Sequence, residues 1–283
     1  MSMPASTLRP QLTRTARDFA DGWNRIGEQT AFYFKALGLI PEAVVKYRVE
    51  TLRQIAQMSL GVGALALMGG AVVIVAFLTF NAGTLVGEQG FRSLSDIGVQ
   101  ALAGFLSAYI NTRLGAPIIA AVGLAATIGA GATAQLGAMR INEEIDALEV
   151  IGVRAIAFLV SSRVVAGVIV VIPLYCVAVL STFMATRSLI VFGYGQAAGI
   201  YDHYFNTFLQ PTDLMWSFGQ AIAMGTAVML VHTYYGYNAA GGPAGVGEAT
   251  GRAVRASLVI TVSITLASAL AIYGVSGNFH LSE

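Results

Sequence analysis

Charge is what this sequence has least of: 11% of its 283 residues are Asp, Glu, Lys or Arg, against 56% hydrophobic. Soluble domains carry about 25% charged residues, so this deficit, with a mean hydropathy of +0.70, excludes an ordinary soluble fold and leaves a polytopic membrane protein. Lysine occurs only as Lys35 and Lys46, and neither follows a glycine. The Gly-Lys-Ser/Thr end of a phosphate-cradling loop is therefore missing, which excludes an ATPase site. His203, His232 and His280 lie far apart without ligand spacing, which argues against a metal site. Gly245-Val-Gly-Glu-Ala-Thr-Gly251 is spaced differently from a dinucleotide fingerprint and follows no soluble strand, so no cofactor is expected. The lone Cys176 excludes an intrachain disulfide, and a net charge of +1 offers no surface for nucleic acid. No spaced set of His, Asp and Glu supports catalysis.

Long apolar tracts are what the chain has instead, and they predict an all-α fold. The arginine-bearing residues 1–27 lack the apolar core of a secretory signal and are expected to stay as a cytoplasmic tail. Residues 28–50 mix Phe32, Tyr33, Phe34 and Leu37 with Lys35, Lys46 and Arg48, the pattern of a helix lying in the inner interface, bent at Pro41. Five tracts are long enough to cross a hydrocarbon core of about 30 Å: Ile55 to Phe80, Pro117 to Ala138, Val164 to Phe183, Leu214 to Tyr235 and Ala256 to Tyr273. Glu88, Arg92 and Asp96 mark the exit of the first. Ile97 to Asn111 is short and cut off by Arg113, so a re-entrant piece is expected there. Residues 188–213 read as an external loop, Gly236 to Arg255 as a glycine-rich internal loop, and 276–283 as an external tail. With the N-terminus inside, thirteen of the 16 basic residues fall on the cytoplasmic side.

Two features stand out within this frame. Between the second and third tracts, residues 142–152 hold four carboxylates, Glu143, Glu144, Asp146 and Glu149, with Ile145 and Leu148 on another face. Asn142 as cap, acids in the first turn and Gly152 as stop predict a short amphipathic helix. A helix of about ten residues is not stable alone in water, so its apolar face must dock, and a partner is the expected surface. The same carboxylates would also keep an ordinary solvated loop out of the bilayer. Within the second tract, Ala121, Ala125, Gly129, Thr133 and Gly137 recur every four residues, a stripe that lets another helix approach closely.

The run Gln135-Leu-Gly-Ala-Met-Arg-Ile-Asn-Glu-Glu-Ile-Asp-Ala-Leu-Glu-Val-Ile-Gly152, with Glu50-Thr-Leu-Arg-Gln54, Tyr234-Tyr-Gly-Tyr237 and Gly245-Val-Gly-Glu-Ala-Thr250, resembles the MlaE/YrbE family of lipid ABC-transporter permeases over residues 28–275. Tyr201-Asp-His-Tyr-Phe205 and Gln210-Pro-Thr-Asp213 are closer to the B-type YrbE permeases of mycobacterial Mce systems. The resemblance implies a non-catalytic permease paired with a second YrbE-type chain, a separate cytoplasmic ABC ATPase dimer, Mce substrate-channel proteins on the outer side, and a lipid cargo taken inward; a lipid exporter is the alternative. It also implies that the acidic helix is the coupling helix, with Glu143, Glu144, Asp146 and Glu149 facing the ATPase and Ile145 and Leu148 seated in it. The chain departs from the family where relatives carry Arg in the second span, Glu before the Leu-Gly and Asp in the last span: here stand Thr127, Gln135, and Ser263 with Thr265. Missing intramembrane charges imply that a non-identical partner supplies them.

Overall fold

The computed structural model describes Asn24 and residues 26–60 and 65–273, and every regular element among them is helical. Most of the expected N-terminal tail and all of 276–283 lie outside the described residues. Three short helices come first: α1 (26–38), α2 (Ile40–Val45) and α3 (Arg48–Leu60). The chain turns at Leu39 and resumes with Pro41 in the first turn of α2, where a missing N–H costs nothing. Five long helices follow: α4 (Leu65–Asp96), α5 (Gln100–Ile141), α7 (Ile156–Gly193), α9 (Pro211–Tyr237) and α10 (Gly242–Ser268), which runs on as a π turn to Tyr273. Two short ones, α6 (Glu144–Val150) and α8 (Ala198–Phe208), lie between them. The five long helices are apolar enough to cross a membrane.

Several boundaries move from those the sequence predicts. The expected first tract, Ile55 to Phe80, divides between α3 and α4, the apolar window of which runs Ala71–Asp96, while 61–64 lie outside the described residues. Glu88 and Arg92 do not leave the helix; they pair within it at 2.8 Å, one turn apart. No re-entrant segment forms either. Gln100–Ile141 is one helix of 42 residues, because Arg113 is neutralised where it stands. Its Nη2 lies 2.7 Å from an Asp213 carboxylate oxygen on α9, and its guanidinium sits 4.0 Å from the Tyr109 ring centre. Wider π turns at Asn111–Gly115 and Ala125–Gly129 interrupt the α geometry without ending the helix.

The expected external loop contains α8, which lies on the first turns of α5. Tyr201 is buried there, and a side chain at Gly104 would collide with the Tyr201 carbonyl. The glycine-rich loop shrinks to residues 238–241. Gly241 and Gly242 adopt φ of +90° and +71°, a reversal few other residues tolerate, and Pro243 then starts α10. Gly245, Gly247 and Gly251 lie within α10 despite their poor helix propensity, and at Gly245 a Cβ would collide with the Ala240 carbonyl. The core sits among α5, α7 and α9, whose apolar windows are 44%, 50% and 50% buried, against 28% and 22% for α4 and α10. In lipid such packing rests on van der Waals fit rather than on expelling water.

Candidate functional site

The acidic helix is present, but it is built differently from the expected one. Asn142 caps the C-terminus of α5, and Glu143, at φ +60°, makes the reversal into α6. No side chain caps α6 at its start. A left-handed glutamate is uncommon; it turns the chain sharply enough to lay α6 back on the bundle. Ile145 is 0% exposed and packs with Leu136 of α5, Leu159 of α7 and Ala155 just before it, with Leu148 half-buried against the same group. The apolar face therefore docks on the chain itself. That corrects the expectation that Ile145 and Leu148 seat in a partner: these side chains fix α6 instead of offering it.

What α6 does present is acid. Glu143, Glu144, Asp146 and Glu149 are all exposed. Asp146 accepts a bond from Arg140 at 2.6 Å and Glu149 one from the Tyr237 hydroxyl at 3.0 Å, whereas Glu143 and Glu144 form no ion pair among the described residues. Gly152, at φ +79°, stops the helix as expected, and the Val153 N–H returns to the Leu148 carbonyl at 3.0 Å. Directly before it, Val150 and Ile151 are 87% and 72% exposed. Sequence reasoning missed this pair; its signal was two apolar residues beside a left-handed glycine, off the docked face.

The small-residue stripe is buried inside the chain. Ala121 and Ala125 lie in the core. A Cβ on Gly129 would stand 2.7 Å from the His232 ring, and one on Gly137 would stand 2.8 Å from Val246. Thr133 places its hydroxyl 2.8 Å from His232 Nδ1 and 3.0 Å from the His232 carbonyl, while Ser257 of α10 lies 3.4 Å from Nε2. His232 thus ties α5, α9 and α10 together at full burial. Nothing local in the sequence signals this, since its partners lie 99 and 25 residues away.

The positions where family charges are absent are held by their own helices: Thr127, Ser263 and Thr265 each donate to a carbonyl one turn back. One charge is nevertheless buried. Arg163, directly before the expected third tract, lies inside α7 at 3% exposure.

A family model described as Permease MlaE matches residues 62–271. A "Probable ABC transporter permease protein" of Rickettsia bellii is 26% identical over 251 residues, covering 85% of this chain and 93% of that one. The "Intermembrane phospholipid transport system permease protein MlaE" of Haemophilus influenzae is 25% identical over 248 residues, 83% of this chain and 91% of its own. "Protein TRIGALACTOSYLDIACYLGLYCEROL 1, chloroplastic" of Arabidopsis thaliana is 28% identical over 172 residues, 60% of this chain and 49% of that protein.

Proposed function

This chain belongs to the MlaE permease family, and on that premise we propose that it is the membrane subunit of an Mce-type lipid importer. It is a transporter subunit, not a catalyst, and ATP is hydrolysed in a separate subunit. The observation that carries the reading further is α6: a helix fixed to its own bundle by Ile145, with four outward carboxylates and the exposed pair Val150 and Ile151 at its end. We assign α6 as the coupling helix. Its acids meet basic residues at the rim of an ATPase groove, and Val150 and Ile151 fill the groove.

The remaining parts of the proposal follow from the bundle. The N-terminus is cytoplasmic and the C-terminus external, which keeps α6 and thirteen of 16 basic residues inside. Helices α1 to α3 lie in the inner interface, with Phe34, Val45, Val49 and Leu52 turned outward. A second, non-identical YrbE-type chain completes the pathway along α4 and α10 and supplies the charges absent at Thr127, Gln135, Ser263 and Thr265. Mce proteins extend the pathway outside. The cargo is a lipid, as the Haemophilus relative's name indicates for that protein; that name also supports a second reading, an inter-membrane lipid trafficking permease.

Two variants test α6. Val150→Asp removes apolar burial worth about 1.5–3 kcal/mol if enclosed, a loss of roughly ten- to a hundred-fold in docking. Glu143→Lys should weaken docking most at low salt, with partial rescue as salt screens the repulsion. The measurement is ATPase co-purification with each variant, beside lipid uptake in cells lacking the wild-type chain. Full binding and uptake in both would reduce α6 to a solvated connection.

A further inference from the structure

Two cavities meet behind α6, and they differ in charge. The first, about 590 Å³, has a mostly apolar surface but is bordered by the charged groups of Glu50, Arg53, Glu144 and Arg163, with Gln54 and Gln135 beside them. The second, about 440 Å³, is largely apolar, with Met58, Ala71, Ile74, Ala126, Ile128 and Ala132 around it. Gln54, Gln57 and Gln135 border both, so the two volumes adjoin across three amides.

Arg163 is the odd group in this arrangement. At 3% exposure it gives one bond to protein, from Nη1 to the Leu159 carbonyl at 2.9 Å. Its Nε–H has no hydrogen-bond partner, and it forms no ion pair among the described residues. A guanidinium does not give up its proton, and burying it without a directly paired anion is costly; Glu50 attracts it without forming an ion pair. Glu50 borders the same cavity but is engaged on both oxygens: Gln54 donates to Oε1 at 2.6 Å, and Arg53 lies 3.9 Å from Oε2. Glu144 stands on the exposed face of α6. The structure leaves room for an anion beside Arg163 and for an aliphatic chain next to it.

We propose that the two cavities form one site for an anionic amphiphile, with a phosphate or carboxylate head on Arg163 and its chain in the apolar cavity. The proposal rests on the lipid-permease reading above and names a place for its cargo. An arginine fork matches the oxygen spacing of either head, and the bordering glutamine amides can donate to the remaining oxygens. Glu50 and Glu144 repel further negative charge, which selects heads carrying little of it. Because Glu144 borders the head pocket from α6, occupancy bears directly on the helix assigned to coupling.

The test uses the complex purified with its accompanying subunits in neutral detergent. Binding of labelled oleate and dioleoyl phosphatidate is measured beside dioleoylglycerol and inorganic phosphate. Both anionic amphiphiles should bind saturably, and the other two should not at equal concentration. Arg163→Gln should weaken binding roughly ten-fold or more, and Arg163→Lys less. Gly131→Phe should weaken it too, since Gly131 borders the apolar cavity and a Cβ there meets nothing within 4 Å. Unchanged binding in Arg163→Gln overturns the site. Phosphate bound as tightly as the amphiphiles, or diacylglycerol bound as well as phosphatidate, overturns it equally. Should Arg163→Gln fail to fold, Gly131→Phe decides alone, and unchanged binding there is fatal to the proposal. ATPase content is read in the same preparations: ATPase present without lipid binding sinks this site only, whereas a wild-type complex without ATPase sinks the transporter reading.

Discussion

The two ends of the bundle treat charge in opposite ways. Where α4, α7 and α9 meet α8, each arginine has a partner within the chain: Arg92 with Glu88 and Tyr194, Arg113 with Asp213, and Arg187 with Asp202 through two bonds of 2.8 Å. At the end carrying α6 some pairs also form, such as Arg154 with Glu42 at 2.8 Å. Yet Lys35, Arg48, Glu143, Glu144 and Arg255 form no ion pair among the described residues, and Arg163 is buried without one. Exposed pairs contribute little to stability, so the contrast is mainly one of completeness. One end pairs each of its arginines within the chain, and the other leaves basic residues to be met by something else.

The largest expected effect belongs to neither end and sets the scale for both. Gly129→Leu drives a side chain into the His232 ring, already 2.7 Å from a bare Cβ, and the ring is held by Thr133 and Ser257. Overpacking at a site that cannot yield costs on the order of 3 kcal/mol or more, so little folded protein should be recovered from membranes by size exclusion. Gly131→Leu, two residues further along the same helix, meets open space and should be recovered normally. Equal recovery of both would show that the stripe does not hold α5, α9 and α10 together.

Next in size is the comparison between the ends themselves. Asp213→Ala removes the carboxylate 2.7 Å from Arg113, whose side chain is 16% exposed; removing one partner of a mostly buried pair should cost about 2–3 kcal/mol, and the double variant with Arg113→Ala less than the sum. Glu143→Lys at the other end should leave thermal stability within about 0.5 kcal/mol of wild type while reducing ATPase co-purification. If Asp213→Ala spared the melting temperature and Glu143→Lys lowered it, the contrast would be reversed.

Much of this was legible in the sequence, and the failures share a cause. The acidic helix could be read because four carboxylates in an apolar chain must leave the membrane, and Gly152 could be read because its stop is local. The seat of Ile145 could not, since Leu159 belongs to another helix. Arg113 looked like a break because its neutralising partner lies 100 residues on. Arg163 looked like a flank because a charge near the end of an apolar tract usually is one; its burial depends on how α3, α5 and α7 close around it. The glycines after Gly241 looked like a loop because propensity opposes a helix there, yet they form the first turns of α10. Local chemistry was visible, while pairings across the fold were not.

The smallest effect sharpens what a closed end means. Asp202 is held below the usual carboxylate range, chiefly by the hydrogen bonds from Arg187, with attraction to its charge adding to them. A depressed folded pKa means that the pair stabilises above the unfolded value of about 3.9 and loses its contribution as pH falls through the folded one. Both side chains are over 40% exposed, at 43% and 41%, so solvent screening limits the contribution to below about 1 kcal/mol. Asp202→Asn should therefore lower the melting temperature slightly and evenly from pH 8 to pH 5, and the gap to wild type should close below about pH 4. Helix α8 should stay docked throughout, because buried Tyr201 anchors it on α5 whether or not Asp202 is charged. A gap that widens on acidification would mean that Asp202 is not stabilised as a carboxylate. A gap of several kcal/mol would mean that this end relies on its charges for folding, and the distinction between a closed end and an open one would have to be drawn on stability instead.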